Sequence, residues 1–194
     1  CYFYFSAMNA GKTTTLLQSA YNYRERGMNA LLFTPLIDDR YAPGSICSRI
    51  GLNSKAIPFD QHFNFFDTVQ NQHTMQKAHC VLIDEAQFLT KAQVFQCTQI
   101  ADHIKVPVLA YGLRTDFKGE PFEGSQYLLS WAEEICEIKT ICHCGSKATM
   151  NIRMNAEGTQ ILTGDQVEIG GNDRYVAVCR KHFYQGKTHT HASL

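Results

Sequence analysis

Four short apolar runs punctuate the front of the chain: Tyr2-Phe3-Tyr4-Phe5, residues 30–34, residues 80–83 and residues 106–112. Each is too short for a helix and is bounded by turn residues, so each reads as a buried strand. Pro107 sits near the start of its run, where a strand tolerates it. Between the runs lie stretches of helical period. Leu16, Leu17, Ala20 and Tyr21 give an apolar face to a helix from about Lys12 to Arg26, and Gly27 after Arg24 and Arg26 is a stop signal. Further helices are expected over residues 63–77, 90–103 and 127–136, and residues 38–55 and 113–121 read as loops. Strands alternating with helices predict an α/β fold with a mainly parallel sheet flanked by helices.

The pattern changes from Thr140. Polar, glycine-containing sequence carries only short β-like runs, at 150–154, 166–169 and 175–178. The chain therefore divides, on this reading, into an α/β domain over 1–139, a small C-terminal domain over 140–185 and a tail over 186–194. No internal repeat and no low-complexity tract is present.

Composition narrows the class. Eighteen basic and eighteen acidic residues cancel, so no general grip on a nucleic-acid backbone is implied. No apolar stretch is long enough to span a bilayer and no signal peptide is visible. The chain begins at Cys1 without Met, which suggests that a few residues precede it.

Chemistry enters with Ser6-Ala7-Met8-Asn9-Ala10-Gly11-Lys12-Thr13, between the first strand and the first helix. This is the phosphate-binding pattern G-x-x-x-x-G-K-[ST] with Ser6 in place of the first Gly. Gly11 lets phosphates approach the backbone, N–H groups at the helix start face an anion, Lys12 reaches the β- and γ-phosphates, and Thr13 can sit on Mg²⁺. Such a loop implies an ATP-rich, reducing compartment, where the eight cysteines serve core or metal roles rather than disulfides. The run at 80–83 then delivers Asp84 and Glu85 to a strand end. In nucleotide-binding folds an Asp there serves Mg²⁺, and a neighbouring carboxylate can take a proton from an attacking hydroxyl. Asp38, Arg40 and Arg49 are further candidates in the loop after the second strand, although from spacing alone a solvated charged loop explains them better.

Two close ligand pairs, Cys142-His143-Cys144 and Cys179 with His182, bracket the polar C-terminal stretch. That is the layout of a structural zinc site, and a metal clamp explains how so polar a stretch could fold. The C-x-C pair is tighter than usual, and His143 could replace Cys142.

Four ordered motifs, Ser-Ala-Met-Asn-Ala-Gly-Lys-Thr, Leu-Ile-Asp-Glu-Ala-Gln-Phe, Tyr-Gly-Leu-Arg-Thr-Asp-Phe-Lys-Gly-Glu-Pro-Phe and Ile-Gly-Gly-Asn-Asp-Arg-Tyr followed by Cys-Arg-Lys-His, resemble the cytosolic, zinc-containing thymidine kinases. The chain looks like the enterobacterial form, in which the first phosphate-loop Gly is also Ser. The resemblance covers nearly the whole chain. It implies a P-loop, RecA-like core and a zinc-stabilised lasso from about Asn151 to Val178, closed by Cys142, Cys144, Cys179 and His182. It implies transfer of the γ-phosphate of ATP to the 5′-hydroxyl of thymidine, with deoxyuridine as another acceptor, giving dTMP in pyrimidine deoxynucleotide salvage. Glu85 would be the base, with Arg40 and Lys12 at the transferred phosphate. ATP and Mg²⁺ would contact Ser6, Ala7, Met8, Asn9, Ala10, Gly11, Lys12, Thr13, Asp84, Glu85, Ala86 and Gln87. The thymine pocket would draw on backbone at Ile169, Gly170 and Gly171 and on Met8, Phe88, Leu113, Phe117 and Tyr175. A cytoplasmic homotetramer inhibited by thymidine triphosphate, with no nucleic-acid or membrane partner, is also implied. The competing reading is a fragment of a zinc-ribbon nucleic-acid-dependent ATPase or helicase. It requires a second motor domain, which 194 residues cannot contain, and a basic face.

Overall fold

The computed structural model describes residues 1–36, 44–155, 157–166 and 174–188. The apolar runs become β1 (Tyr2–Ser6), β2 (Ala30–Pro35), β6 (Cys80–Ile83) and β7 (Val108–Leu113). The helices between them are α1 (Lys12–Glu25), α2 (Phe65–Met75) and α3 (Lys91–Gln99). Asn64 caps α2 by accepting from Asp67 N–H, and Thr90 with Gln93 forms a reciprocal capping box on α3. A π-helical turn, Ile100–Ile104, prolongs α3 to the length its period predicts.

Two departures from the sequence pattern add strands, and the hairpin among them stands apart from the main sheet. Residues 44–55, read as loop, fold into a hairpin of β3 (Ser45–Cys47) and β4 (Asn53–Lys55), and β5 (Ile57–Phe59) follows. Arg49 is exposed in the hairpin turn. The helix expected over 127–136 instead runs earlier, as α4 (Glu123–Trp131), and its expected end becomes β8 (Glu134–Glu137). Main-chain pairing with β1 overrides the helical preference of Glu134 and Glu137.

The resulting sheet has the order β5-β2-β6-β7-β1-β8, and every pairing in it is parallel. Its two faces bury separate clusters. One joins Phe33, Phe59, Phe65, Val81, Ile83, Val94 and Leu128, among others; the opposite one joins Leu16, Leu17, Ala20, Leu32, Leu82 and Tyr111. Because all six strands run the same way, Ser6, Asp84 and Leu113 emerge at one edge, the carboxyl edge where such sheets bind ligands.

The C-terminal part forms its own small core. β9 (Thr140–Ile141) pairs with β10 (Lys147–Ala148), and β11 (Met150–Met154) pairs with β12 (Gln160–Ile161) and β13 (Arg174–Val178). Helix α5 (Arg180–Gln185) closes the unit. Cys142, Ala148, Met150, Ile152, Val178 and Phe183 bury together, apart from the other two clusters. Among the described residues no helix is long and apolar enough to cross a membrane.

Candidate active site

The loop between β1 and α1 is wound by two residues in the left-handed region, Asn9 at φ 61° and Gly11 at φ 85°. Gly11 stands at the cap of α1 and has no side chain to accept from the first-turn N–H groups; no acid lies in that turn either. Those amides and the positive end of the helix dipole are therefore left for an anion. Lys12 is only 8% exposed. Its ammonium donates to Ser6 Oγ at 3.1 Å and to the Ala7 carbonyl at 3.4 Å, which folds the side chain back over the loop. Ser6, the departure from glycine, thus has a use: its hydroxyl holds the lysine.

Asp84 and Glu85 follow β6 at the same edge. Thr13 Oγ1 donates to Asp84, 3.3 Å from Oδ2 and 3.5 Å from Oδ1. Asp84 is 5% exposed. Burial, then the charge of Glu85, pushes its carboxyl up to about 7, against the pull of the Glu85 N–H, Lys12 and Thr13. A buried acid beside a threonine hydroxyl is a fitting place for a divalent cation with phosphate oxygens.

Glu85 sits at φ 47°, in the left-handed region that non-glycine residues avoid. Gln87 Nε2 donates to Glu85 Oε2 at 2.7 Å, and Gln87 Oε1 accepts from Leu113 N–H at 3.0 Å. The second bond fixes which end of the amide faces the acid. Gly112 permits this approach, since a Cβ there would lie 2.9 Å from both Gln87 N and Gln87 Oε1. Ala86 and Gln87, expected against the nucleotide, are both buried, and the Gln87 amide is engaged by Glu85 and Leu113.

The residues expected to wall the base pocket each have identifiable neighbours. Leu113 pairs with Ser6 across β1 and β7. Phe88 packs edge-on against Phe122, half-buried at the end of the 3₁₀ turn Ala86–Phe88. Phe117 is buried under the guanidinium of Arg153, 5.1 Å from its ring centre, and Tyr175 stands opposite Arg153 across β11 and β13. Met8 N–H donates to Asn151 Oδ1 at 2.8 Å. Arg40, with Asp38, and Ile169, Gly170 and Gly171 lie outside the described residues.

The sequence reading did not single out Asn151, Arg153 or Asp116, all buried. Asp116 accepts from Lys118 N–H, Glu120 N–H and Gln166 Nε2, tying the loop after β7 to the C-terminal unit. A signal for the first two was present. In Met150-Asn151-Ile152-Arg153-Met154 the polar residues alternate, which puts both on one face of a strand.

The second cluster is Cys142, Cys144, Cys179 and His182, whose ligand atoms lie within 4.8 Å of one another. Cys144 Sγ and Cys179 Sγ are 3.9 Å apart, and His182 Nδ1 is 3.3 Å from Cys142 Sγ and 3.5 Å from Cys179 Sγ. Bonds of about 2.3 Å to sulfur in a tetrahedron put sulfurs about 3.8 Å apart. The residues therefore fit a zinc ion. His143 does not replace Cys142: its ring stacks on that of His182 at 4.3 Å. Desolvation, then the charges of His143, Lys181 and Lys187, hold His182 below its ordinary value.

A phosphate-binding loop facing a paired Asp-Glu across a parallel sheet edge places the chain in the P-loop class of nucleotide-binding α/β proteins. The comparisons with known proteins narrow that class. A family model described as thymidine kinase matches residues 1–183. A thymidine kinase of Aliivibrio fischeri is 60% identical over 182 residues, 94% of this chain and 95% of that protein. Thymidine kinases of Legionella pneumophila (60%, covering 96% of this chain and 90% of that one) and Vibrio parahaemolyticus (59%, 94% and 95%) are similarly close. A solved structure, Bacteroides Pif1 bound to ssDNA, overlaps 71% of this chain and 37% of its own at 14% identity and a TM-score of 0.33, too loosely to bear on function. This chain belongs to the thymidine kinase family.

Proposed function

We propose that this chain moves the terminal phosphoryl group of ATP to the 5′-hydroxyl of thymidine using the residues around the phosphate loop. The activity follows from the family: the chain phosphorylates thymidine and is a phosphotransferase. The residue roles rest on one observation above all, the contact of Thr13 with Asp84. It brings a phosphate loop and an acid pair, distant in sequence, to one point.

Phosphoryl transfer asks for alignment and neutralised charge more than for covalent help. In this reading the N–H groups at the start of α1 hold the donor phosphates, and Lys12 swings from Ser6 and Ala7 to the β- and γ-phosphates. Thr13 and Asp84 would hold Mg²⁺, which supplies charge neutralisation on the phosphates when bound. Glu85 accepts the proton of the attacking hydroxyl, its carboxylate oriented by Gln87. Phe88, Leu113, Met8, Phe117 and Tyr175 enclose the base, and backbone at residues 169–171 reads its edge. Arg40 meets the transferred phosphate. Cys142, Cys144, Cys179 and His182 would hold zinc in a structural role, because four protein donors leave no open position. A division into 1–139 and 140–185 is supported by the separate apolar core of the C-terminal part. A cytoplasmic homotetramer restrained by thymidine triphosphate completes the proposal by analogy with the family.

The test is a panel of nucleosides with γ-labelled ATP, run on the parent and on Glu85→Gln. Thymidine is expected to be labelled, and the variant to bind both substrates while turning over about 10²–10⁴-fold more slowly. A variant turning over at the parental rate removes Glu85 from the chemistry.

A further inference from the structure

The phosphate loop does not take its shape from its own unit alone. Its Met8 N–H is satisfied by Asn151, 143 positions further along the chain and inside the C-terminal unit. Because the partner is an N–H, the side-chain atom facing it must be the oxygen, so the amide orientation is fixed. The same amide turns its nitrogen toward the Thr115 carbonyl at 3.4 Å, in the loop that follows β7. Asn151 is 3% exposed, between Met150 and Ile152 of the C-terminal core. It lies on β11, all five of whose residues are buried, and β11 is held by β13, which runs directly into Cys179 and the turn bearing His182.

The loop gains an outside constraint. Its two left-handed residues, Gly11 and Asn9, are types that adopt and leave that region at little cost, so their winding is not fixed by local sequence alone. Asn9 is exposed and so is held by little on that side. Met8, directly before it, is where a hydrogen bond arrives from a rigid strand.

We propose that Asn151 is a positioning residue that makes the geometry of the phosphate loop depend on the zinc-bearing unit. The inference rests on the reading that loop 6–13 holds the donor phosphates. The C-terminal unit then does more than cover the nucleoside: it sets the conformation in which the loop amides converge on ATP. Removing the Asn151 acceptor leaves Met8 N–H unsatisfied and lets the loop relax, and the loss falls on the ATP side of the reaction.

The test uses the full chain, with Asn151→Ala and Asn151→Leu. Leucine keeps the branched outline of asparagine with more bulk and no acceptor, whereas alanine leaves space, so agreement between the two variants separates the hydrogen bond from packing. Each is assayed for zinc content, thermal midpoint, and KM for ATP and for thymidine with the other substrate saturating. ADP binding is measured by calorimetry. Both variants are expected to keep one zinc per chain, to raise KM for ATP and weaken ADP about tenfold, and to change KM for thymidine less than about twofold. ADP binding and KM for ATP at parental values in both variants overturn the proposal. So does an effect confined to Asn151→Ala, or an equal rise in both KM values. The underlying reading has its own control: if Lys12→Ala leaves ADP and ATP affinity intact, the loop is not the donor site, whatever the Asn151 variants do.

Discussion

Several side chains at this site are held in states they would not choose alone. Glu85 keeps a left-handed backbone, and its carboxylate is met by an amide that is itself locked by a main-chain N–H. Gln87→Leu removes that donor at nearly constant volume. We expect kcat to fall about tenfold or more while both KM values move little, as read by steady-state kinetics, because the loss is of alignment in the transition state. Asp84 is held in a different way. Its folded value of about 7 stands above its ordinary 3.8. The folded state therefore binds the proton more tightly, so its contribution to stability is complete below the unfolded value and is lost as pH rises through about 7. Asp84→Asn, with no magnesium or nucleotide present, should melt several degrees higher than the parent at pH 8 and close to it near pH 4. The same substitution should abolish turnover. A melting difference that is constant across that range would remove the buried charge as its cause.

At the scale of elements, the site depends on backbone approaching backbone. The N-terminus of α4 lies against the 3₁₀ turn that carries Gln87 and Phe88. A Cβ on Gly124 would come within 2.7 Å of the Ala86 and Leu89 carbonyls and 2.9 Å of that of Gln87. Backbone oxygens cannot swing away as a side chain can, so Gly124→Ala must push helix and turn apart. A loss of about 1–3 kcal/mol, measured by denaturant melts, is the expected cost of such overpacking. An unchanged midpoint would mean that α4 slides without resistance. Gly112 plays the matching part on β7, where the bare backbone admits the Gln87 amide. These elements also show where pattern reading stops. Phosphate loop, first helix and acid-ended strand are contiguous signals of spacing and period, and they appear in the structure as read. β8 does not announce itself, since Glu134-Ile135-Cys136-Glu137 has as much helical as extended character, and only the open flank of β1 makes it a strand. The hairpin at 45–55 is hidden likewise by a polar, turn-like composition.

On the scale of the whole molecule, the C-terminal part has an apolar cluster apart from the two that flank the sheet. Among the described residues its apolar cluster is small, and the four clustered cysteine and histidine side chains fit a metal that would add to its stability. One zinc per chain is expected by metal analysis. A chelator that strips it should make residues 140–185 susceptible to limited proteolysis before the α/β unit is cut, and activity should fall in parallel. Simultaneous digestion of both units would show that the metal does not stabilise the smaller one separately.

By itself the sequence determined the chemistry on offer: a phosphate loop, two adjacent acids, two close pairs of cysteine and histidine ligands, and a sheet of parallel strands to carry them. Such features are written within a few residues of one another, where chain connectivity fixes their geometry. The tertiary structure decided which of the neighbouring Cys142 and His143 faces the ligand cluster, which end of Gln87 faces Glu85, and that Asn151 reaches Met8. Those choices depend on a hydrogen-bond partner brought in from a distant part of the chain, and spacing along one strand carries no record of what will be packed against it.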